Sequence, residues 1–204
     1  MAEVYVDSRT EEAALVAQAK DSPDAFGELY QRYVDKIYNY IYYRTGSAPD
    51  AEDLTARVFM RALQNIDGYE DRGYAFSAWL YRIAHNLVAN WHRDNSRRPT
   101  IAIDDLAQWR VAAKGPEDMT ALLEDRAALL EAIRGLPDDR RELLLLKFVD
   151  QLSNAEIGEV MGRSEGAVKS LYHRTLLTLR QELATPTPRR SWRSLWRRGT
   201  ENGK

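Results

Sequence analysis

The sequence predicts an all-α protein made of two small helical domains that are joined by a flexible linker. Apolar residues recur at intervals of three and four along most of the 204-residue chain, and no segment shows the alternation of a β-strand. This pattern fades between residues 95 and 120, where Pro99, Gly115 and Pro116 stand among scattered charges. Two blocks of helices on either side of a linker fit both observations.

The first block is predicted to contain four helices, over residues 11–20, 23–44, 50–65 and 76–93. The second helix has the clearest start, because Ser22 is a good N-cap and Pro23 suits the first helical position. A turn with Gly and Pro separates it from the third helix, and a polar loop over residues 67–73 precedes the fourth. The side chains of the second and third helices predicted to face the core are Phe26, Leu29, Tyr30, Tyr33, Ile37, Tyr40, Ile41, Leu54, Val58, Phe59 and Leu63.

The second block is predicted to contain helices over residues 121–134, 137–148, 154–161 and 164–183, of which the last two form a helix-turn-helix. Ser153 and Glu156 have the spacing of a capping box at the start of the third helix. Gly158 allows a close approach of the next helix, and Gly162 tolerates the positive φ of a sharp turn. An ordinary helical hairpin closed by a glycine is the alternative.

The last predicted helix has an apolar side and a polar, basic side. We expect Val168 to pack inward, with Tyr172 and Leu176 following one turn at a time. A DNA-reading helix meets phosphates and base edges with its outer face. The residues predicted on that face are Arg163, Ser164, Glu165, Lys169, Ser170, His173 and Arg174.

Charge is unevenly distributed along the chain, although the net charge is only −2. Residues 1–81 carry −6, residues 82–98 carry +3, residues 99–162 carry −6, residues 163–184 carry +2 and residues 185–204 carry +5. The near-zero net charge argues against binding of nucleic acid by bulk attraction alone, whereas the segregation of charge suggests contact with an anion at selected faces. The alternative is that the charges belong to solvated helix surfaces and vary at random.

The composition excludes several classes of protein. The chain has no cysteine, which excludes a disulfide scaffold, a thiolate metal site and a cysteine nucleophile. His85, His92 and His173 lack the spacing of metal ligands, so we expect no metal. The triplet His92-Arg93-Asp94 resembles part of a kinase catalytic loop, but the glycine-rich phosphate loop and Asp-Phe-Gly of a kinase are missing, so we expect no cofactor and no enzymatic activity. No apolar run reaches the roughly 18–20 residues of a membrane span, and a cytoplasmic location is expected.

Residues 69–93 combine many aromatic and cationic side chains. Aromatic rings stack on unpaired bases while cations hold the backbone, so this mixture suits single-stranded nucleic acid. The alternative is that Phe76, Trp79 and Leu80, which recur at helical spacing, belong to the core.

A second cluster is acidic and lies at the start of the third helix, over residues 50–54. Its carboxylates complement the helix dipole, which is one account of their position. A protein-binding face is the other account. The residues predicted on that face are Asp50, Asp53, Arg57 and Arg61.

Four motifs in this order resemble bacterial sigma factors of the short extracytoplasmic-function group, which keeps only conserved regions 2 and 4. The motifs are FGELYQRY (26–33), DAEDLTARVFMRAL (50–63), FSAWLYRIAHN (76–86) and SNAEIGEVMGRSEGAVKS (153–170). The resemblance implies a region 2 domain over residues 11–98, a linker over 99–120 and a region 4 domain over 121–184. The resemblance does not account for the basic tail over residues 185–204.

The resemblance also implies partners and roles. It makes core RNA polymerase and promoter DNA the partners, and many members of the family are restrained by an anti-sigma factor. Asp50, Asp53, Arg57 and Arg61 would dock on the polymerase, and the helix-turn-helix would read the −35 duplex. The residues implied to contact the melted, single-stranded −10 element are Tyr69, Arg82, His85, Asn86, Asn90 and Arg93.

The sequence departs from the family pattern at one position, and one rival function stays open. Many relatives carry an arginine where this chain has Leu171, which predicts the loss of a DNA contact at that position. The rival is a two-domain helix-turn-helix regulator that binds operators without joining polymerase.

Overall fold

The computed structural model describes residues 2–95 and 127–184, with side chains over 9–94 and 127–184. These ranges contain helices and no strand, which confirms the predicted all-α class. The first unit comprises α1 (Ala2–Gln18), α2 (Pro23–Thr45), α3 (Ala48–Asn65) and α4 (Phe76–Asn95). The second unit comprises α5 (residues 127–134), α6 (Asp138–Leu144), α7 (Asn154–Met161) and α8 (Glu165–Ala184). The predicted linker, 99–120, and the tail, 185–204, lie outside the described residues.

Capping residues set the ends of the helices in the first unit. The Ser22 hydroxyl caps α2, and Gly46 ends that helix with a φ of 67°, in the left-handed region that glycine adopts without strain. Ser47 then caps α3 by accepting a hydrogen bond from the Asp50 N–H, so α3 begins two residues earlier than predicted. Helix α1 extends back to Ala2, well before the predicted start at residue 11.

The predicted core of the first unit is confirmed except at two positions. Nine of the eleven residues predicted to face inward in α2 and α3 are buried. Tyr30 is 43% exposed and Leu63 is 52% exposed, because each lies at the edge of its apolar stripe. Their prediction as core residues was wrong.

The larger of two buried apolar clusters runs through both units, and the smaller one, Leu136, Leu144 and Leu179, lies within the second unit. Leu143, Leu146 and Ile157 of the second unit join the same buried cluster as Leu80 and Leu87 of α4. Helix α7 packs along α4, and α6 lies near the C-terminal half of α2. The sequence predicted two domains but did not predict that they pack against each other.

The second unit contains the predicted helix-turn-helix. The Ser153 hydroxyl accepts from the Glu156 N–H at 3.2 Å, and the Glu156 carboxylate accepts from the Ser153 N–H at 2.8 Å, which confirms the capping box. Gly162 has a φ of 65° and forms the turn into α8. The segment predicted as one helix over 137–148 instead widens after α6 into a π-helical turn, Leu145–Val149.

The inner face of α8 differs from the predicted one. Val168, Leu171, Thr175 and Leu179 are buried, whereas Tyr172 is half-buried and Leu176 is 40% exposed. The buried residues follow steps of three and four, and the predicted steps of four alone drift away from the core. Within the described residues, no helix is long and apolar enough to cross a membrane.

Candidate DNA and protein interfaces

The outward face of α8 carries the predicted duplex-contacting residues. Ser164 caps the helix by accepting a hydrogen bond from the Ala167 N–H. Glu165 and Lys169 form an ion pair with 2.7 Å between Oε1 and Nζ. All seven predicted residues are exposed: Arg163, Ser164, Glu165, Lys169, Ser170, His173 and Arg174.

Two positions near this surface need comment. Leu171 is 4% exposed and packs inward, so its own side chain does not belong to the outward face. The loss of a DNA contact relative to arginine-bearing relatives stays a prediction. Arg163 is paired with Asp139 of α6 at 3.0 Å, so a DNA phosphate would compete with a carboxylate for this guanidinium.

The outward face of α3 carries three of the four predicted protein-binding residues. Asp53 and Arg57 are 69% and 51% exposed and form an ion pair at 3.6 Å, and Arg61 is exposed on the following turn. Asp50 instead is half-buried and accepts a hydrogen bond from the Trp91 indole at 3.2 Å. Asp50 thus joins α3 to α4 and does not belong to the outward face.

Three exposed apolar side chains beside this face were not predicted as functional. Met60 is 61% exposed and Leu63 is 52% exposed on α3, and Tyr30 of α2 lies against Phe59 nearby. The sequence signal was Met60, an apolar residue outside the predicted core stripe of α3, whereas Leu63 was predicted within that stripe. Charged and apolar groups side by side are typical of a protein interface.

The loop before α4 and the start of α4 form a shallow pocket of about 180 Å³. Tyr69 and Trp79 line it, with 5.1 Å between their ring centroids, and Arg82 lies at its edge. Burial raises the pKa of Tyr69 to about 12, and nearby Asp71 adds to the shift, so the phenol stays neutral and can donate a hydrogen bond. Phe76 is buried, as the core alternative predicted.

The residues predicted for −10 contact are only partly accessible. Asn86 and Arg93 are exposed and Asn90 is half-buried, all on α4. Arg82 forms an ion pair with Glu159 of α7 at 3.3 Å. His85 is 24% exposed, with its Nδ1 2.6 Å from a carboxylate oxygen of Glu142 in α6.

Glu142 lies at the centre of a buried polar cluster between the two units. Its carboxylate is 2.5 Å from the Arg44 guanidinium and also accepts a hydrogen bond from the Tyr40 hydroxyl at 2.5 Å. Arg44 is 3% exposed and pairs a second time, with Asp138, at 2.9 Å. Burial alone would raise the pKa of Glu142, but Arg44 and the bonds from His85 and Tyr40 lower it to about 2.

Two further contacts join the units along α4. The Glu156 carboxylate, which also caps α7, accepts from the Ala75 N–H at 3.0 Å. Burial would raise the pKa of Glu156, but this bond and those with Ser153 lower it. The Tyr81 hydroxyl bonds to Asp150, and burial raises the pKa of Asp150 to about 7 despite that bond.

No candidate metal centre is present in residues 9–94 and 127–184, where no three His, Asp or Glu side chains converge. The chemistry available on these surfaces is binding through cations, aromatic rings, helix-terminal amides and exposed apolar groups.

Comparison with known proteins identifies the family. "Sigma-70 region 2" matches residues 29–98, and "Sigma-70, region 4" matches residues 126–179. The chain is 37% identical over 174 residues to the ECF RNA polymerase sigma factor SigW of Bacillus subtilis, and the match covers 80% of this chain and 91% of SigW. The chain belongs to the ECF sigma factors.

A further relative agrees with this assignment, and two solved structures share the fold. The ECF sigma factor BldN of Streptomyces coelicolor is 42% identical over 163 residues, and the chain spans 61% of its length. The structure of CnrH in complex with the cytosolic domain of CnrY shares the fold, with a TM-score of 0.58 and 24% identity over 86% of this chain and 99% of CnrH. The sigma factor RpoE of Bartonella quintana, solved with the anti-sigma factor NepR, has a TM-score of 0.55 over 79% of this chain and 98% of that one. ECF sigma factors are transcription initiation factors rather than enzymes.

Proposed function

We propose that this ECF sigma factor docks on core RNA polymerase through α3, captures the melted −10 strand with the loop 67–75 and α4, and reads the −35 duplex with α8. The observation that carries the proposal is the helix-turn-helix, whose seven predicted contact residues are all exposed. This helix-turn-helix belongs to a chain that matches both sigma-70 region 2 and sigma-70 region 4.

The docking assignment is supported by the mixed character of the α3 face. Asp53, Arg57 and Arg61 can form charged contacts, and Met60 and Leu63 add apolar area that is otherwise left in water. Exposed apolar side chains beside charged groups are typical of a protein interface. Asp50 would act indirectly, by fixing α3 against Trp91 of α4.

The −10 assignment is supported by the pocket beside Tyr69. An unpaired base could stack on Tyr69 or Trp79, which is worth about 1–3 kcal/mol per base. Arg82, at the edge of the pocket, could hold the adjoining phosphate, and Asn86 and Arg93 continue the same polar surface along α4.

The −35 assignment is supported by the exposed polar residues of the turn before α8 and of the first half of α8. Lys169 and Arg174 lie in successive turns and can reach phosphates or guanines, while Ser170 and His173 suit base edges. The first-turn amides of α8 add a dipole that favours phosphate.

The wider arrangement is part of the proposal. Residues 11–98 would form region 2 and 121–184 region 4, with 99–120 as the linker and 185–204 as a basic tail. A cytoplasmic location and an anti-sigma partner fit an ECF sigma factor, and RpoE of B. quintana was solved with such a partner.

The function is tested by adding the purified chain to core RNA polymerase and a library of genomic fragments. We expect co-elution with the polymerase and run-off transcripts from a defined set of promoters, with none from core polymerase alone. Tight binding to duplex DNA without any transcript would instead favour the rival, an operator-binding regulator that acts without polymerase.

A further inference from the structure

The start of the loop 67–75 is held by a lysine from another part of the first unit. Lys20 lies in the turn after α1, and its ammonium group donates to the Tyr69 carbonyl oxygen at 2.9 Å and to the Asp67 carbonyl oxygen at 3.4 Å. A hydrogen bond from an ionised donor is stronger than one between neutral groups. Because both acceptors are backbone oxygens, these bonds fix the path of the loop at Tyr69.

The far end of the loop is held by α1 itself. Arg9 donates a hydrogen bond to the Gly73 carbonyl oxygen, at a residue whose φ is 81°. The Glu12 carboxylate accepts a hydrogen bond from the Phe76 N–H at 3.4 Å, where α4 begins. Helix α1 and the turn after it therefore hold the loop at both of its ends.

The Tyr69 ring lies between α4 and the α1 side of the unit. Towards α4 its centroid is 5.1 Å from that of Trp79 and 5.3 Å from that of Phe76. Towards α1 it lines a cavity of about 110 Å³ together with Val16 and Lys20. The ring is not tightly packed on that side, so loss of the bond to its carbonyl would let it shift and change the pocket beside Trp79.

We propose that Lys20 is a positioning residue for −10 capture, which keeps the Tyr69 ring in place as one wall of that pocket. This inference rests on the proposed function of the loop 67–75 and α4. Lys20 acts through the backbone of Tyr69 and not by binding DNA. A ring that is already held where a base must stack loses less conformational freedom when the base arrives, which favours binding.

Direct attraction between Lys20 and a phosphate is the competing explanation, since this side chain is exposed. The two explanations differ in their salt dependence. A phosphate contact releases counterions, so its loss would lower the slope of log K against log salt by about 0.7 for a single strand. Loss of a positioning bond instead weakens binding at every salt concentration and leaves the slope unchanged.

The test uses the full chain bound to core RNA polymerase and a promoter mapped by run-off transcription. One probe is a fluorescein-labelled fork of that promoter, with a duplex −35 element and a single-stranded −10 element. The other probe is the −35 duplex alone, and both are titrated at several salt concentrations. The variants are Lys20→Ala, Lys20→Arg, Tyr69→Ala and the double alanine variant. Lys36→Ala is the matched control, because it removes an exposed lysine that lies over the Tyr33 ring on α2.

Lys20→Ala should weaken binding of the fork about fivefold at every salt concentration, as expected for the net contribution of one hydrogen bond, and should leave binding of the −35 duplex unchanged. Lys20→Arg should restore most of the affinity, since a guanidinium group can donate to the same carbonyls. In the Tyr69→Ala background, Lys20→Ala should cause no further loss. Lys36→Ala should match the parent with both probes.

An unchanged fork affinity in Lys20→Ala, a smaller salt slope, or an additive loss in the double variant would overturn the positioning role and leave the −10 assignment intact. If the parent complex bound the fork no more tightly than the −35 duplex, the −10 assignment and the inference would both be contradicted.

Discussion

Gly158 of α7 faces the backbone of Arg163 so closely that a Cβ at position 158 would lie 2.6 Å from the Arg163 carbonyl oxygen. The obstacle is backbone in the turn just before α8, which cannot move aside as a flexible side chain would. The glycine therefore sets the distance between the two helices of the helix-turn-helix, and with it the position of the α8 outward face.

Gly158→Ala should lower the free energy of unfolding by about 2 kcal/mol or more, because the helices must separate to admit the methyl group. Chemical denaturation followed by circular dichroism measures the change. Gly166→Ala is the matched control, since a Cβ at that helical position meets no atom within 4 Å. An equal loss in both variants would show that close packing at Gly158 is not the cause.

Replacing Asp53 and Arg57 together by alanine should weaken binding to core RNA polymerase about tenfold or more, as expected for the centre of an interface. The fold should be unaffected, because the pair is exposed and such pairs contribute little stability. The affinity is measured by fluorescence anisotropy with labelled sigma factor. The control is the double alanine variant of Glu28 and Arg32, an exposed pair with the same spacing on α2. Unchanged affinity in the Asp53/Arg57 variant would remove α3 from the docking surface.

Lys169→Ala combined with Arg174→Ala should weaken binding to −35 duplex DNA and reduce its salt dependence. Each lost phosphate contact should lower the slope of log K against log salt by about 0.9. Titrations at several salt concentrations measure the slope. Arg180→Ala, on the exposed C-terminal half of α8, should leave it unchanged. If the double variant kept the parent slope, the outward face of α8 would not contact phosphates.

Asp150→Asn should change the pH dependence of stability. Burial raises the pKa of Asp150 to about 7, and one carboxylate oxygen, Oδ2, has no hydrogen-bond partner. The unfolded state releases the Asp150 proton near pH 4, whereas the folded state keeps it until about pH 7. The free energy of unfolding therefore falls as the pH rises from about 4 to 7. The amide that replaces the carboxyl carries no charge and should not incur this cost.

The variant should therefore gain about 1 kcal/mol over the parent at pH 8 and little at pH 4.5, where the parent carboxyl is protonated in the native protein. Thermal unfolding at the two pH values measures the difference. The hydrogen bond from Tyr81 and the charge of Lys36 lower the pKa of Asp150 and so oppose the effect of burial. If Asp150→Asn gained the same stability at both pH values, these two groups would be keeping the carboxyl charged.

The helix-turn-helix was predictable because its signals are local. The capping box of Ser153 and Glu156, the turn at Gly162 and the ends of α7 each depend on residues within one or two turns. The residues of α8 that face the core were predicted less well. Leu171 and Thr175 are buried because of how α8 packs in the fold, and a regular step of four residues from Val168 misses both of them.

The contact between the units was not predictable in the same way. Arg44 and Glu142 are far apart in sequence, and each resembles a solvated helix residue when its own segment is considered alone. The same limit affected Asp50, whose acidic neighbours suggested an outward face although Trp91 of α4 binds it. Exposed Leu63 was wrongly predicted as a core residue because apolar residues at helical spacing usually belong to the core, and Met60 was given no role.

Permanganate reactivity of thymines tests the central claim most directly, because it detects unpaired bases in a promoter mapped by run-off transcription. Core polymerase with this chain should make thymines of the −10 element reactive, and Trp79→Ala, which removes one wall of the pocket, should reduce that reactivity. Polymerase alone should give none. Duplex protection at −35 without any reactive −10 thymine would contradict the account.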